Sequence, residues 1–208
     1  MPSRPAIVGF LRGAGCPEPK VVHCMDVADI ALEIARAMAT DGLKMDLVTV
    51  EAGALLHDVG IAFTLDDLSP QHCALGADFV RENGFTEAVA RCVERHEMGG
   101  ITQDEARALG DFPEPLRDTY LPEAIEERVV AFADLMYFTV AEEHRDPWGD
   151  PEAAAKALYG YADAVFRKKL GGPVPRDYAV FSRATALSRS MLPYINRSLF
   201  ARWSKVVS

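Results

Sequence analysis

A chain of 208 residues with 49% hydrophobic and 25% charged residues has the composition of a folded protein rather than a disordered one. Its formal net charge is −9 and its basic residues form no cluster, which argues against a nucleic-acid polymer or an anionic membrane as partner. No uncharged run reaches the length of a membrane-spanning helix, and the first residues lack the pattern of a signal peptide. We therefore expect a cytoplasmic protein.

Apolar residues recur at helical spacing along nearly the whole chain, which predicts an all-α fold. Capping residues, glycines and prolines mark the helix boundaries, such as Ser69 before Pro70 and Asp177 before the last helix. The predicted helices span residues 21–40, 46–58, 70–83, 86–97, 102–110, 122–143, 150–170 and a last segment that begins near 177. The second of these is apolar on almost every face, which is typical of a central buried helix.

Six side chains of the types that bind metal ions fall on helix faces that should point into the core. They are His23, His57, Asp58, His72, His96 and Asp134. His23, for example, precedes Val27 and Ile30 at steps of four and three residues, so it shares their face. Because burial of an unpaired imidazole or carboxylate is costly, these groups must pair with one another or share a cation.

The mixture of imidazole and carboxylate ligands favours divalent ions of the transition series, meaning Fe, Mn, Ni, Co or Zn. Six protein ligands are more than one tetrahedral site needs. Two ions that share Asp58 as a bridge would use all six ligands and leave positions open for water and substrate.

The same residues resemble a known family. His23, the doublet His57-Asp58 and the distant Asp134 resemble the H…HD…D pattern of the HD-domain superfamily of metal-dependent phosphohydrolases. The tetrapeptide that begins at His57, with sequence HDVG, is similar to the HDIG variant of that pattern. Residues 70–96 resemble the segment that gives dinuclear members two further histidines, and the stretch from 99 to 134 resembles a small HDIG group of archaeal and bacterial single-domain proteins.

The resemblance covers about residues 20–143 and implies an HD-domain helical bundle with a C-terminal helical extension. We expect an N-terminal segment at 1–19, the HD domain at 20–145, and an extension at 146–208 that packs on the same core. The apolar residues of that extension suit either of two roles, covering the site or forming a homodimer.

The resemblance also implies roles for the six side chains. The first metal ion would take His23, His57, Asp58 and Asp134, and the second would share Asp58. His72 and His96 would complete the second site. Asp58 and a hydroxide that bridges the metals would lie at the centre of the reaction. We therefore expect a phosphohydrolase that acts on a small anionic substrate, either a nucleotide or a phosphodiester.

The sequence departs from the family pattern at one point. HDIG relatives often carry an Arg or Lys soon after the motif, whereas Ile61, Ala62 and Phe63 follow Gly60 here. Arg95, beside His96, is a candidate substitute for binding substrate phosphate. Two other functions stay open: a mixed-valence di-iron oxygenase, which uses the same ligands, and a non-catalytic metal-binding regulatory module.

Overall fold

The computed structural model describes residues 1–64, 70–110, 112–150, 152–175 and 178–203. These residues form α-helices and short helical turns without a β-strand, so the all-α prediction is confirmed. The helices are α1 (Arg4–Gly13), α2 (Glu18–Thr40), α3 (Leu47–Leu56), α4 (Gln71–Glu82), α5 (Glu87–Glu94), α6 (Gln103–Leu109), α7 (Ile125–Tyr137), α8 (Ala153–Leu170) and α9 (Val180–Met191). Ser69 and Asp177, which the sequence suggests as caps, lie outside the described residues.

Helix α3 lies at the centre of the bundle, packed against α2, α5 and α7. Its apolar side chains surround the helix, and Val50, Leu55 and Leu56 have no exposed surface. Asp46 caps its first turn by accepting hydrogen bonds from the backbone N–H groups of Val48 and Thr49. A central helix of this kind fixes whatever follows its last turn, which here is His57 and Asp58.

The structure differs from the predicted helices at three places. Helix α1 lies in the N-terminal segment, where no helix was predicted, and it buries Ile7, Val8 and Leu11. The helix predicted at 86–97 ends at Glu94, since the backbone leaves helical geometry at Arg95. The helix predicted at 122–143 begins at Ile125 and changes to a π-helical turn at Phe138–Glu142. Single π-helical turns occur often at functional sites.

Helix α6 begins with a capping box. The Thr102 side chain accepts a hydrogen bond from the backbone N–H of Glu105, and the Glu105 carboxylate accepts one from the backbone N–H of Thr102. Glu105 also forms two bonds of 3.0 and 2.8 Å with Arg183 on α9. These hydrogen bonds therefore connect the first turn of α6 to α9.

We predict that Thr102→Ala lowers the free energy of unfolding by about 1 kcal/mol, because one N–H of the first turn loses its acceptor. Chemical denaturation measures the change. Thr185→Ala is the matched control, since the Thr185 hydroxyl is exposed and only donates to the carbonyl of Phe181 within α9. Equal stabilities of the two variants would show that the cap contributes nothing.

The C-terminal helices contact the rest of the bundle at several points. The indole N–H of Trp203 donates to Asp26 on α2 at 2.9 Å, and the ring of Trp203 lies against Tyr137. Leu158 and Tyr161 of α8 line the same pocket as His23 and Asp58. The division at 1–19, 20–145 and 146–208 stays a prediction. None of the helices in the described part of the chain has the length and apolarity needed to cross a membrane.

Candidate metal centre

All six side chains that the sequence singled out meet at one place in the bundle. They are supplied by α2 (His23), the turn after α3 (His57 and Asp58), α4 (His72), the turn after α5 (His96) and α7 (Asp134). Five of them are buried, and Asp134 is partly buried. The sequence predicted their position through helical phase, although they are far apart along the chain.

A first group of ligand atoms surrounds one point between α2, α3 and α7. The Nε2 atoms of His23 and His57 are 3.1 Å apart. His23 Nε2 lies 3.5 Å from Asp58 Oδ2 and 3.2 Å from Asp134 Oδ1. His57 Nε2 lies 3.6 and 3.5 Å from the same two oxygens. A tetrahedral ion with bonds of about 2.0–2.2 Å separates its ligands by about 3.3–3.6 Å, so the group fits one ion.

A second group lies on the other side of Asp58. The Nε2 atoms of His72 and His96 are 3.2 Å apart, and they lie 3.4 and 3.6 Å from Asp58 Oδ1. Asp58 thus directs Oδ2 to the first group and Oδ1 to the second. This arrangement suits a carboxylate that bridges two ions. On each side of Asp58, the ligand atoms lie close enough together to hold one metal ion.

Two of the histidines are oriented by backbone carbonyls. His57 Nδ1 lies 2.7 Å from the carbonyl oxygen of Ala54, and His96 Nδ1 lies 2.8 Å from that of Val93. Because a carbonyl only accepts, Nδ1 must be the protonated nitrogen in each neutral ring. The lone pair of Nε2 then faces the centre of the cluster, as a metal ligand requires.

The electrostatics of the cluster favour added positive charge. Burial acts to raise the pKa of Asp58, but the neighbouring imidazoles of His57, His72 and His96 and the Lys20 ammonium hold that pKa well below the usual range. Burial also acts against ionisation of Asp134, whose pKa is nevertheless lowered by the neighbouring imidazoles of His23 and His57. The carboxylates therefore stay ionised inside the protein, and a bound cation stabilises them.

Sequence reasoning missed a lysine at this centre. Lys20 Nζ donates to Asp58 Oδ2 at 3.1 Å, and its side chain is 37% exposed. Burial acts to lower the pKa of Lys20, but the carboxylates of Asp58 and Asp134 raise it above its ordinary value, so the ammonium stays charged. Lys20 lies one helical turn before His23, and this spacing could have identified it.

A cavity of about 340 Å³ opens beside the cluster. Its polar side is formed by five of the six predicted ligands, all except His57, together with Lys20, Glu97 and Glu142. Its apolar side is formed by residues from α7, the π-helical turn and α8: Ala131, Leu135, Phe138, Leu158 and Tyr161. The hydroxyl-bearing ring of Tyr161 packs against Phe138, with ring centroids 5.6 Å apart. The cavity therefore has charged groups on one side and an apolar wall on the other.

Arg95 does not join this centre, which corrects the expectation that it binds substrate. Its guanidinium donates to the carboxylates of Glu123 and Glu127 at 2.7 and 3.2 Å and to the carbonyl oxygen of Leu121. The side chain is 10% exposed and is absent from the cavity lining. The backbone turn after Glu94 directs His96 inward, whereas Arg95 forms hydrogen bonds with the segment that precedes α7.

A comparison with protein families decides the classification. The family model described as HD domain matches residues 21–139, which is more than half of the chain and includes all six predicted ligands. The chain belongs to the HD-domain family. This result confirms the family that the H…HD…D pattern resembles, a family of metal-dependent phosphohydrolases.

Several curated proteins are similar in sequence to this HD domain. An uncharacterised protein of Methanocaldococcus jannaschii is 41% identical over 123 residues, which are 59% of this chain and 69% of that protein. A tRNA (cytidine(56)-2'-O)-methyltransferase of Thermoplasma volcanium is 35% identical over 66% of this chain. The match spans 37% of the methyltransferase, so most of that protein has no counterpart here.

Solved structures of HD domains are also similar to this chain. The L. monocytogenes phosphodiesterase PgpH HD domain in complex with cyclic-di-AMP aligns with a TM-score of 0.44 and 16% identity. The alignment covers 82% of this chain and 88% of that one.

Proposed function

We propose that this HD-domain protein is a phosphohydrolase that uses two divalent metal ions and acts on a small phosphorylated molecule, a nucleotide or a phosphodiester. The observation that carries the proposal is Asp58, whose two oxygens face two separate sets of imidazole nitrogens at 3.4–3.6 Å. When bound, such ions supply Lewis-acid polarisation of phosphoryl oxygens and lower the pKa of a coordinated water toward neutrality.

The chain's own residues would divide the work around that centre. His23, His57 and Asp134 would hold the first ion, His72 and His96 the second, and Asp58 both. The Ala54 and Val93 carbonyls keep His57 and His96 in the required tautomer. Lys20 now donates to Asp58 Oδ2, and one of its N–H groups would donate to a phosphoryl oxygen of the substrate at the mouth of the cavity. An ammonium group is a compact cation that can bind phosphate in several geometries.

The cavity supports a substrate of limited size. Its volume of about 340 Å³ is at the lower end of the range usual for ligand pockets, about 300–1,000 Å³. The apolar wall of Phe138, Leu158 and Tyr161 offers a surface for the organic part of the substrate, opposite the charged side.

The test is a set of hydrolysis assays on protein that has been stripped of metal and reconstituted with Mn, Fe, Co, Ni or Zn. Phosphomonoesters, cyclic and linear phosphodiesters and nucleotides form the panel, and product formation is followed by chromatography. We expect hydrolysis of at least one class by the reconstituted protein and none by the stripped protein. Loaded protein that binds two ions and hydrolyses nothing would contradict the proposal.

Lys20 provides a second test. We expect Lys20→Met to lower kcat/KM by about 10- to 100-fold, since a hydrogen bond to a charged group contributes ~1.5–3 kcal/mol. Lys20→Arg should recover part of that loss, and both variants should keep their metal. Lys156→Met is the control, because Lys156 is exposed and pairs with Asp150 on the surface. Unchanged kinetics in Lys20→Met would remove the lysine from the reaction.

A missing basic residue after Gly60, where HDIG relatives often carry one for substrate phosphate, would favour the di-iron oxygenase alternative. Lys20 supplies a cation next to Asp58 from α2, so that argument for oxygen chemistry no longer applies. Electron paramagnetic resonance of protein purified under reducing conditions distinguishes the two. A mixed-valence signal that responds to substrate would favour the oxygenase, and a redox-silent centre would favour hydrolysis. Elemental analysis that finds no metal in the native protein would favour the third alternative, a non-catalytic regulatory module.

A further inference from the structure

We propose that Glu97 is a seventh metal ligand, which completes the second site with His72, His96 and Asp58. The inference rests on the two-metal centre of the proposed function and goes beyond it. It assigns the second ion two carboxylates and two imidazoles, the same donor set that the first ion would have. The family pattern and the sequence single out no residue at this position.

The distances support this assignment. Glu97 Oε2 lies 3.5 Å from His72 Nε2 and 4.0 Å from His96 Nε2. The same two nitrogens lie 3.4 and 3.6 Å from Asp58 Oδ1. An ion bound by His72 and His96 would therefore lie beside the Glu97 carboxylate, which has an oxygen within 4.8 Å of a ligand nitrogen of each imidazole.

Glu97 has the surroundings of a ligand rather than of a surface acid. Its side chain is 11% exposed and lines the cavity. Within the described part of the chain, the two histidines are the only groups at ion-pair distance from its carboxylate. No lysine or arginine compensates it there, in contrast to Glu105 and Glu127, which pair with arginines. A buried carboxylate so placed is stabilised by a cation between it and the imidazoles.

The backbone explains how two consecutive residues reach one ion. In a regular helix, His96 and Glu97 would point about 100° apart. Here a 3₁₀ turn at Glu97–Gly99 replaces the helix, and Met98 has φ 53°. Gly99 and Gly100 follow with φ of 65° and 99°. A methionine with a left-handed backbone conformation is energetically costly and persists only where the surrounding structure imposes it. This turn places Glu97 near His72.

Cys73 is the competing ligand in this part of the cluster. Its Sγ lies 3.6 Å from His72 Nε2, and its thiol is buried. Glu97 offers a carboxylate to the same ion, and harder ions such as Mn prefer oxygen to sulfur. A thiolate bound to Co²⁺ gives a near-ultraviolet charge-transfer band, whereas carboxylate and imidazole ligands do not.

The experiment compares Glu97→Gln with Glu142→Gln and the unmodified chain. Glu142 lines the same cavity on the side of Lys20, so the control changes an equal charge away from His72 and His96. Each protein is stripped and titrated with Mn²⁺ and Co²⁺ by calorimetry, with elemental analysis after gel filtration. Cobalt absorption spectra report the donor set without any assay of activity.

We expect the unmodified chain and Glu142→Gln to bind two ions. Glu97→Gln should keep the first ion and bind the second at least 10-fold more weakly, without a sulfur charge-transfer band in any of the three. Two ions of unchanged affinity in Glu97→Gln, or a sulfur band in the unmodified chain, would overturn the assignment of Glu97 and leave the two-metal proposal standing. Failure of the unmodified chain to bind a second ion would defeat both.

Discussion

Asp58→Asn should abolish hydrolysis and reduce the metal content from two ions to one or none. The substitution keeps the shape of the side chain, but removes the negative charge and one of the two oxygens that face His23 and His72 at 3.5 and 3.4 Å. Changes beyond the ligand shell already weaken metal affinity by ~10–100-fold, and loss of a bridging ligand acts on both ions. We expect activity to fall on the order of 10³-fold or more, as for other electrostatic elements of active sites.

The matched control is Asp150→Asn, which makes the same substitution at an exposed residue that pairs with Lys156. Elemental analysis and the hydrolysis assay are run on both proteins. Metal binding should also raise the melting temperature of the unmodified chain and of the control, because a ligand at 100 times its Kd adds ~2.7 kcal/mol of stability. Asp58→Asn that retains two ions and full activity would show that Asp58 does not bridge.

Gly60→Ala should destabilise the fold and displace a ligand at the same time. A Cβ atom at Gly60 would lie 1.9 Å from the carbonyl oxygen of His72 and 2.7 Å from the backbone nitrogen of Gly76. Both contacts are with the backbone of α4, so α4 must move away from the turn that carries Asp58. We expect a loss of about 3 kcal/mol in the free energy of unfolding and weaker binding of the second ion, which depends on His72.

Gly160→Ala is the control for this prediction. Gly160 lies within α8, and a Cβ atom there would meet no other atom within 4 Å. Alanine should therefore stabilise the helix by up to about 1 kcal/mol. Denaturant unfolding of both variants, with and without metal, measures the difference. A Gly60→Ala protein as stable as the unmodified chain would mean that α4 does not pack so closely on this turn.

The six predicted ligands could be found from the sequence because each lies on a helix with an apolar face or directly after the end of one. The phase of Val27 and Ile30 placed His23 inward, and the apolar helix α3 placed His57 and Asp58 at its end. Lys20 lies one turn before His23 on the same face of α2, but a lysine near the start of a helix is usually solvated. Its pairing with Asp58 depends on α2 and α3 being adjacent.

The remaining residues of the site depend on irregular backbone and distant contacts. Glu97 lines the cavity and Arg95 does not, because the helix predicted to 97 ends at Glu94 and the side chains after it no longer follow helical phase. Phe138 reaches the cavity from a π-helical turn, and Tyr161 from α8. Neither the turn nor the packing of α8 follows from local apolar spacing, since both are settled by tertiary contacts.

The number of divalent ions bound per chain tests the central claim most directly. Protein purified without a metal-binding tag, stripped and titrated with Mn²⁺, should bind two equivalents, and Asp58→Asn should bind one or none. A chain that binds no divalent ion, or that binds one ion regardless of Asp58, would contradict a dinuclear centre bridged by this carboxylate.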